Sequence, residues 1–202
     1  MMQKKAVFID KDGTLIPDIP YNVDPEKITL CTGAAEGLKL LSRHGYACII
    51  VSNQPGIALG KFGEKELDAV KAKIAYLLQQ HGIPLSGFYY CPHHPSKSSC
   101  ACRKPMPGLL LRALEDHHLD TQQCWMIGDI LHDVEAGNRA GCKTILIDNG
   151  NETEWEKGAY RKPDYIAKDL KTAACLMIYH NSFGIKNKAY DTTATAIRLV
   201  RV

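Results

Sequence analysis

Ala6-Val7-Phe8-Ile9-Asp10-Lys11-Asp12-Gly13-Thr14 runs without a break from an apolar stretch into a pair of carboxylates. Consecutive apolar residues, rather than apolar and polar ones in alternation, mark a strand buried on both faces, as in a parallel sheet. At its end Asp10 and Asp12 are separated by a single residue. Two negative charges held that close repel each other unless a cation lies between them. A hard divalent cation wants several oxygens and can also hold a phosphate oxygen, so the pair suits metal-assisted phosphate chemistry. Taken alone, the stretch also allows an acidic turn closed by Gly13.

Outward from this stretch the same kind of run recurs. After Ala6–Asp10 come Ala47–Ser52, Phe88–Cys91, Cys124–Gly128, Thr144–Asp148 and Asp164–Ala167. Helical patterns lie between them. Leu67, Val70, Ile74, Leu77 and Leu78 form one stripe of a helix over 64–81, ended by Gly82. Leu109, Leu110, Ala113 and Leu114 mark another over 107–117, opened by Pro107, while Ala34–His44 and Val134–Ala140 are closed by Gly45 and Gly141. Alternating strands and helices predict an α/β fold, a doubly wound, Rossmann-like parallel sheet. The longest connections, 11–32 and 92–106, are loop-sized, so no separate cap domain is expected. A single domain is expected over residues 1–180. Residues 181–202 read as a loosely packed or extended C-terminal extension, in which Arg198–Val202 could add a short edge strand.

Composition narrows the class. The chain has 202 residues, 45% hydrophobic and 23% charged, with a formal net charge of +3. That charge fits a small anionic substrate and falls far short of the basic face that nucleic-acid binding needs. No apolar run approaches the roughly 20 residues of a membrane span, and the apolar stretch after Lys4 and Lys5 is cut by Asp10, too early for a signal peptide. A cytoplasmic monomer that binds neither membrane nor nucleic acid is expected. Of the eight cysteines, Cys31, Cys48, Cys124, Cys142 and Cys175 sit in or beside apolar stretches and read as small buried hydrophobes. Cys91, Cys100 and Cys102 cluster with His93 and His94. In a chain without a secretory signal this is a metal site rather than a disulfide framework.

Polar groups gather at three strand ends: Asp10 and Asp12, then Ser52-Asn53-Gln54, then Gly128-Asp129. In open parallel sheets ligands bind at that edge. Asp133, four residues after Asp129, either caps the next helix, favoured there by the helix dipole, or braces the site. Arg103-Lys104 follows the cysteines and precedes Pro105 and Pro107, so two cations stand on a stiffened loop.

The order Asp10-x-Asp12-Gly13-Thr14, Ser52-Asn53, Lys104, Gly128-Asp129-x-x-x-Asp133 resembles the haloacid-dehalogenase superfamily of phosphotransferases over about residues 5–178. Ser52-Asn53-Gln54 with Gly56-Ile57-Ala58, the run Tyr89-Tyr90-Cys91-Pro92-His93-His94-Pro95, and Cys100-Ala101-Cys102-Arg103-Lys104-Pro105 are similar to its D-glycero-D-manno-heptose 1,7-bisphosphate phosphatases. Histidinol-phosphate phosphatases share much of the pattern.

The resemblance implies a haloacid-dehalogenase fold and a Mg²⁺-dependent phosphatase acting on a sugar phosphate. Its expected substrate is the 7-phosphate of the heptose bisphosphate, with histidinol phosphate or another small phosphomonoester as the alternative. Asp10 would attack phosphorus to give an aspartyl-phosphate. Asp12 would protonate the leaving oxygen and then activate water, for which its carboxyl must first carry a proton. Asp10, the Asp12 backbone carbonyl and Asp129 would hold Mg²⁺. Ser52 and Lys104, with Asn53 and Gln54 beside them, would bind the phosphoryl group. A single aimed donor of this kind is typically worth roughly 3–4 kcal/mol of barrier, so Ser52→Ala or Lys104→Ala is expected to cripple turnover and spare the fold. Arg103 would read the rest of the substrate, and the loop carrying Asp18 and Tyr21 would lie over the mouth. Cys91, His93, Cys100 and Cys102 would form a closed structural Zn²⁺ site on the loop of Arg103 and Lys104, with His94 the competing imidazole.

Two positions depart from the family pattern. Ile130 stands where many heptose-bisphosphate phosphatases have lysine, and Leu59 where they commonly have arginine. The loss of two cations bears on which sugar phosphate is taken, not on the chemistry. A non-catalytic zinc-bearing binding module is the reading from another class. The joint presence of Asp10, Asp12, Lys104 and Asp129 argues against it, because such a module needs neither a nucleophile nor an acid.

Overall fold

Six strands join edge to edge in the order β3-β2-β1-β4-β5-β6, all parallel, in a computed structural model that describes residues 5–96 and 99–183. In chain order the elements are β1 (Lys5–Ile9), α1 (Ala34–Arg43), β2 (Tyr46–Asn53), α2 (Glu64–Gln80), β3 (Leu85–Cys91), α3 (Gly108–Asp116), β4 (Trp125–Gly128), α4 (Leu131–Ala140), β5 (Lys143–Ile147), β6 (Tyr165–Ala167) and α5 (Leu170–Phe183). β1 is central: Phe8 lies level with Ile49 of β2 on one side and Met126 of β4 on the other.

Residue alternation along the strands builds two cores. Ala6, Phe8, Ile49, Val51 and Met126 pack with Leu109, Leu110 and Ala113 of α3 and Ala136 of α4. Val7, Ile9, Ile50, Trp125 and Ile127 pack with Leu38 and Leu41 of α1, Val70 and Ile74 of α2, and Ala173 and Met177 of α5. Burial on both faces is why β1 reads as an unbroken apolar run. Each large side chain taken fully out of water contributes about 1.5–3 kcal/mol. After β3 the chain crosses to the far side of β1 to place β4, so the strand order reverses there. The crevice beyond the carboxyl ends of β1 and β4 is the expected ligand position for this topology.

The expected sheet and helices are present, and the structure adds one element. α5 has no counterpart among the helices read from periodicity, and it runs past residue 180, where the C-terminal extension was expected to begin. Its segment Leu170-Lys171-Thr172-Ala173-Ala174-Cys175-Leu176-Met177-Ile178 is apolar on nearly every side, so no stripe stands out against a polar face. α5 lies against α1 at a point where Gly37 has no side chain; a Cβ there would sit 2.4 Å from the Leu170 carbonyl oxygen. β3 begins at Leu85 and α4 at Leu131, each three residues ahead of the expected Phe88 and Val134. The expected strand Arg198–Val202 lies outside the described residues. Among those residues no helix is long and apolar enough to cross a membrane.

Candidate active site

The carboxyl ends of β1, β2 and β4 deliver Asp10, Asn53-Gln54 and Asp129 to one cleft of about 390 Å³. Asp10, Asp12, Asn53, Gln54, Lys104 and Asp129 line its floor and walls. Asp18 and Tyr21, on an exposed turn after β1, line its mouth, and Arg103 closes one side.

Lys104 is buried among carboxylates. Its Nζ contacts Asp10 Oδ1, lies 2.6 Å from Asp133 Oδ1 and donates to the Val51 carbonyl at 2.9 Å. Burial works to lower the Lys104 pKa, but the Asp10 and Asp133 carboxylates outweigh it and raise it above the ordinary lysine value. The lysine is therefore a fixed cation. Asn53 holds its backbone from both sides, donating through Nδ2 to the Lys104 carbonyl at 3.1 Å and accepting from its N–H at 3.0 Å. Asp133 serves both roles the sequence left open. One oxygen faces Lys104, and the other accepts from the Ile130 N–H at 3.3 Å, capping the first turn of α4.

Asp10, Asp129 and Asp133 each offer an oxygen within 4.8 Å of the others, all three residues being buried. Burial raises the Asp10 carboxyl above its ordinary value; Lys104 lowers it in part, and Asp133 and Asp12 raise it further. Burial and the Asp10 charge push Asp129 up to about 6, against hydrogen bonds from Asn151 and Thr14. Three acids facing one buried lysine leave an excess of negative charge, and the donors are all hard oxygens. Such a set fits Mg²⁺.

Gln54 and Ser52 take positions that composition alone could not assign. The Gln54 amide nitrogen donates to Ser52 Oγ at 2.8 Å and to Asp12 Oδ2 at 3.1 Å, and Lys11 Nζ contacts Asp12 Oδ1. Asp12 is thus held at both oxygens. Ser52 is 1% exposed and lies behind Gln54, not among the residues lining the cleft. Thr14, Asn149 and Asn151 escaped the sequence reading as site residues. Thr14 Oγ1 donates to Asp129 Oδ1 at 3.1 Å, and Asn151 Nδ2 donates to Asp129 Oδ2 at 2.6 Å. Asn149-Gly150-Asn151 follows β5, so the strand-end criterion that located Asp129 would have found this polar cluster had it been applied to the next strand.

Cys91, His93, Cys100 and Cys102 converge beside the cleft. Their sulfurs lie 3.2, 3.4 and 3.6 Å apart, with His93 Nδ1 3.3 Å from Cys102 Sγ and 3.5 Å from Cys91 Sγ. Zinc–sulfur bonds of about 2.3 Å in a tetrahedron give edges of about 3.8 Å, so the donors match a zinc shell in kind and spacing. His94 turns away, with Nδ1 2.7 Å from Ser96 Oγ. Burial raises the Cys100 thiol, but the Arg103 N–H and the neighbouring thiols outweigh it and bring it down to about 7. Arg103 Nη1 donates to the His93 carbonyl at 3.4 Å, so the cluster is tied directly to the loop that carries Lys104.

Residues 101–173 match a family model described as HAD-hydrolase-like. A D-glycero-beta-D-manno-heptose-1,7-bisphosphate 7-phosphatase of Haemophilus ducreyi is 38% identical over 176 residues, spanning 84% of this chain and 96% of that one. The enzyme of the same name from Escherichia coli K12 is 36% identical over 184 residues, 83% and 96% of the two chains. Among solved structures, a D,D-heptose 1,7-bisphosphate phosphatase from B. bronchiseptica complexed with magnesium and phosphate superposes with a TM-score of 0.78 at 27% identity, covering 87% of this chain and 99% of its own. Given this likeness over nearly the whole length of its relatives, and a sheet edge built as described, the chain belongs to the haloacid-dehalogenase-like hydrolases and is a phosphoric monoester hydrolase.

Proposed function

We propose that the protein is a Mg²⁺-dependent sugar phosphatase that releases the 7-phosphate of D-glycero-D-manno-heptose 1,7-bisphosphate through an aspartyl-phosphate. The observation that carries this reading is the meeting of Asp10, Asp12, Lys104 and Asp129 in one cleft, in a chain 38% identical to a heptose-bisphosphate phosphatase.

Asp10, the Asp12 backbone carbonyl and Asp129 would hold Mg²⁺, which when bound neutralises charge on the phosphate oxygens. Asp10, with one carboxylate oxygen on Lys104, attacks phosphorus through the other; the ester P–O bond breaks, and Asp12 gives the departing oxygen its proton. Water then attacks the aspartyl-phosphate, passing a proton to Asp12 as the Asp10–phosphorus bond breaks. Gln54 and Lys11 hold Asp12 for both transfers. Lys104 remains charged throughout and faces the phosphoryl oxygens. Ser52 acts from behind through Gln54. Arg103, Asp18 and Tyr21 contact the sugar. A structural Zn²⁺ on Cys91, His93, Cys100 and Cys102 keeps the Arg103-Lys104 loop in register with the cleft.

Ile130 lines the cleft and is neutral, which favours a second reading, in which a substrate with one phosphate, such as histidinol phosphate, is preferred. Phosphate release from heptose 1,7-bisphosphate, fructose 1,6-bisphosphate and histidinol phosphate, measured side by side with and without Mg²⁺, separates the two. The heptose bisphosphate should give the highest kcat/KM, and Asp10→Asn should abolish release from all three. A higher value for histidinol phosphate would overturn the substrate assignment, and full activity of Asp10→Asn would overturn the nucleophile.

A further inference from the structure

The segment after β5 has no part in the steps above, yet it grips the acidic cluster. Asn149 Nδ2 donates to the Gly13 carbonyl at 2.7 Å, and the Asn151 N–H donates to Asn149 Oδ1 at 3.1 Å. From there the Asn151 amide reaches Asp129 Oδ2 at 2.6 Å while Thr14 holds Oδ1. The end of β1 and the end of β4 are thus clipped together across the cleft. Gly13 makes room for the clip: its φ is +79°, and a Cβ would lie 2.1 Å from Asp129 Oδ2 and 2.5 Å from Asn151 Nδ2. The rest of the strap is fastened to α4. Glu152 Oε2 accepts from the Leu131 N–H at 2.6 Å, Asn138 Nδ2 donates to the Tyr160 carbonyl at 2.7 Å, and Arg161 Nε donates to Glu135 at 2.8 Å.

A carboxylate oxygen has two lone pairs. One donor on each oxygen of Asp129 stops the group from rotating and still leaves each oxygen a lone pair for a cation. Groups that orient a metal ligand in this way typically set affinity by about 10- to 100-fold. We propose that Asn151 is a positioning residue that fixes the plane of the Asp129 carboxylate and thereby sets the affinity of the site for Mg²⁺. The proposal rests on the reading of Asp10 and Asp129 as Mg²⁺ ligands.

Calorimetric titration of the full chain with Mg²⁺, comparing wild type, Asn151→Ala and Glu152→Ala, tests it. Asn151→Ala should weaken the Mg²⁺ Kd about 10-fold, and its kcat should recover at saturating Mg²⁺. Glu152→Ala, which loosens the strap without touching Asp129, should lower the Tm and leave the Kd unchanged. Wild-type affinity in Asn151→Ala overturns the proposal, as does an equal loss in Glu152→Ala, which would make the effect a general loosening of the strap. If wild type binds Mg²⁺ and Asn151→Ala binds it equally well, the metal reading stands and only the role of Asn151 falls. If wild type binds none, both fall together.

Discussion

At the scale of single residues, Lys104 shows how a site can be both legible and misjudged. The family resemblance implies a phosphate-facing cation at this position, and Lys104 lines the cleft. Sequence alone suggests that Lys104→Ala would spare the fold, but the structure argues otherwise. The side chain is 2% exposed and is the counter-charge of Asp10 and Asp133. Removing one partner of a buried ion pair typically costs about 3–5 kcal/mol, because the remaining charge stays buried and unpaired. Lys104→Ala should therefore lose turnover and also unfold at lower urea, with a stability loss of about 3 kcal/mol. Adding Asp133→Asn should recover part of the stability and none of the activity. Equal urea midpoints for wild type and Lys104→Ala would show that Asp10 and Asp133 do not depend on this cation. Gln54 gives the complementary case. The resemblance implies a substrate contact for its side chain, while the fold shares its amide nitrogen between Ser52 and Asp12.

At the scale of elements, the proposed zinc site of Cys91, His93, Cys100 and Cys102 adjoins Arg103 and Lys104 in a stretch with little apolar content of its own. A bound structural zinc can contribute on the order of 10 kcal/mol to ordering such a segment. Stripping zinc with a thiol-reactive reagent and a chelator should leave the sheet folded by circular dichroism, open the loop to protease and lower kcat about 100-fold, as Lys104 loses its register. Unchanged turnover with zinc shown absent by elemental analysis would separate the loop's metal from catalysis. The elements also show what the sequence could and could not convey. Strands buried on both faces announce themselves as runs such as Ala6–Ile9 and Cys48–Val51, so the sheet and its ligand-binding edge were readable. α5 was not, because a helix apolar nearly all round has no stripe to detect. The strap after β5 was only half readable. Its polar start, Asn149-Gly150-Asn151, stands at a strand end like Asp129, but its grip on Gly13, Asp129 and α4 comes from contacts between segments far apart in the chain, which no local pattern encodes.

At the scale of the whole molecule, the two apolar cores support a sheet edge that works against folding. Asp10, Asp129 and Asp133 are buried together with Lys104 as the cation shared by two of them. Asp129 shows the consequence most directly: its folded value of about 6 lies above the ordinary 3.8. A carboxyl raised in the folded state binds more protons there than in the unfolded chain, so its contribution is fully present below about pH 4 and lost as pH rises through about 6. In protein dialysed free of Mg²⁺, this cluster should therefore oppose stability increasingly across that window. Mg²⁺ binds the ionised form, and by linkage its stabilising effect should grow with pH over the same range. Asp129→Asn removes one of the charges. At pH 7.5 without Mg²⁺ it should melt above wild type by roughly 4–8 °C, corresponding to about 2 kcal/mol in a chain of this size. It should also lose both the Mg²⁺-induced rise in Tm and phosphatase activity. Scanning calorimetry of the two proteins at pH 5 and pH 7.5, with and without Mg²⁺, reads all of these at once. If Asp129→Asn melts below wild type without Mg²⁺ at pH 7.5, the carboxylate is already stabilised by its Thr14 and Asn151 hydrogen bonds, and the site opposes the fold less than its burial implies.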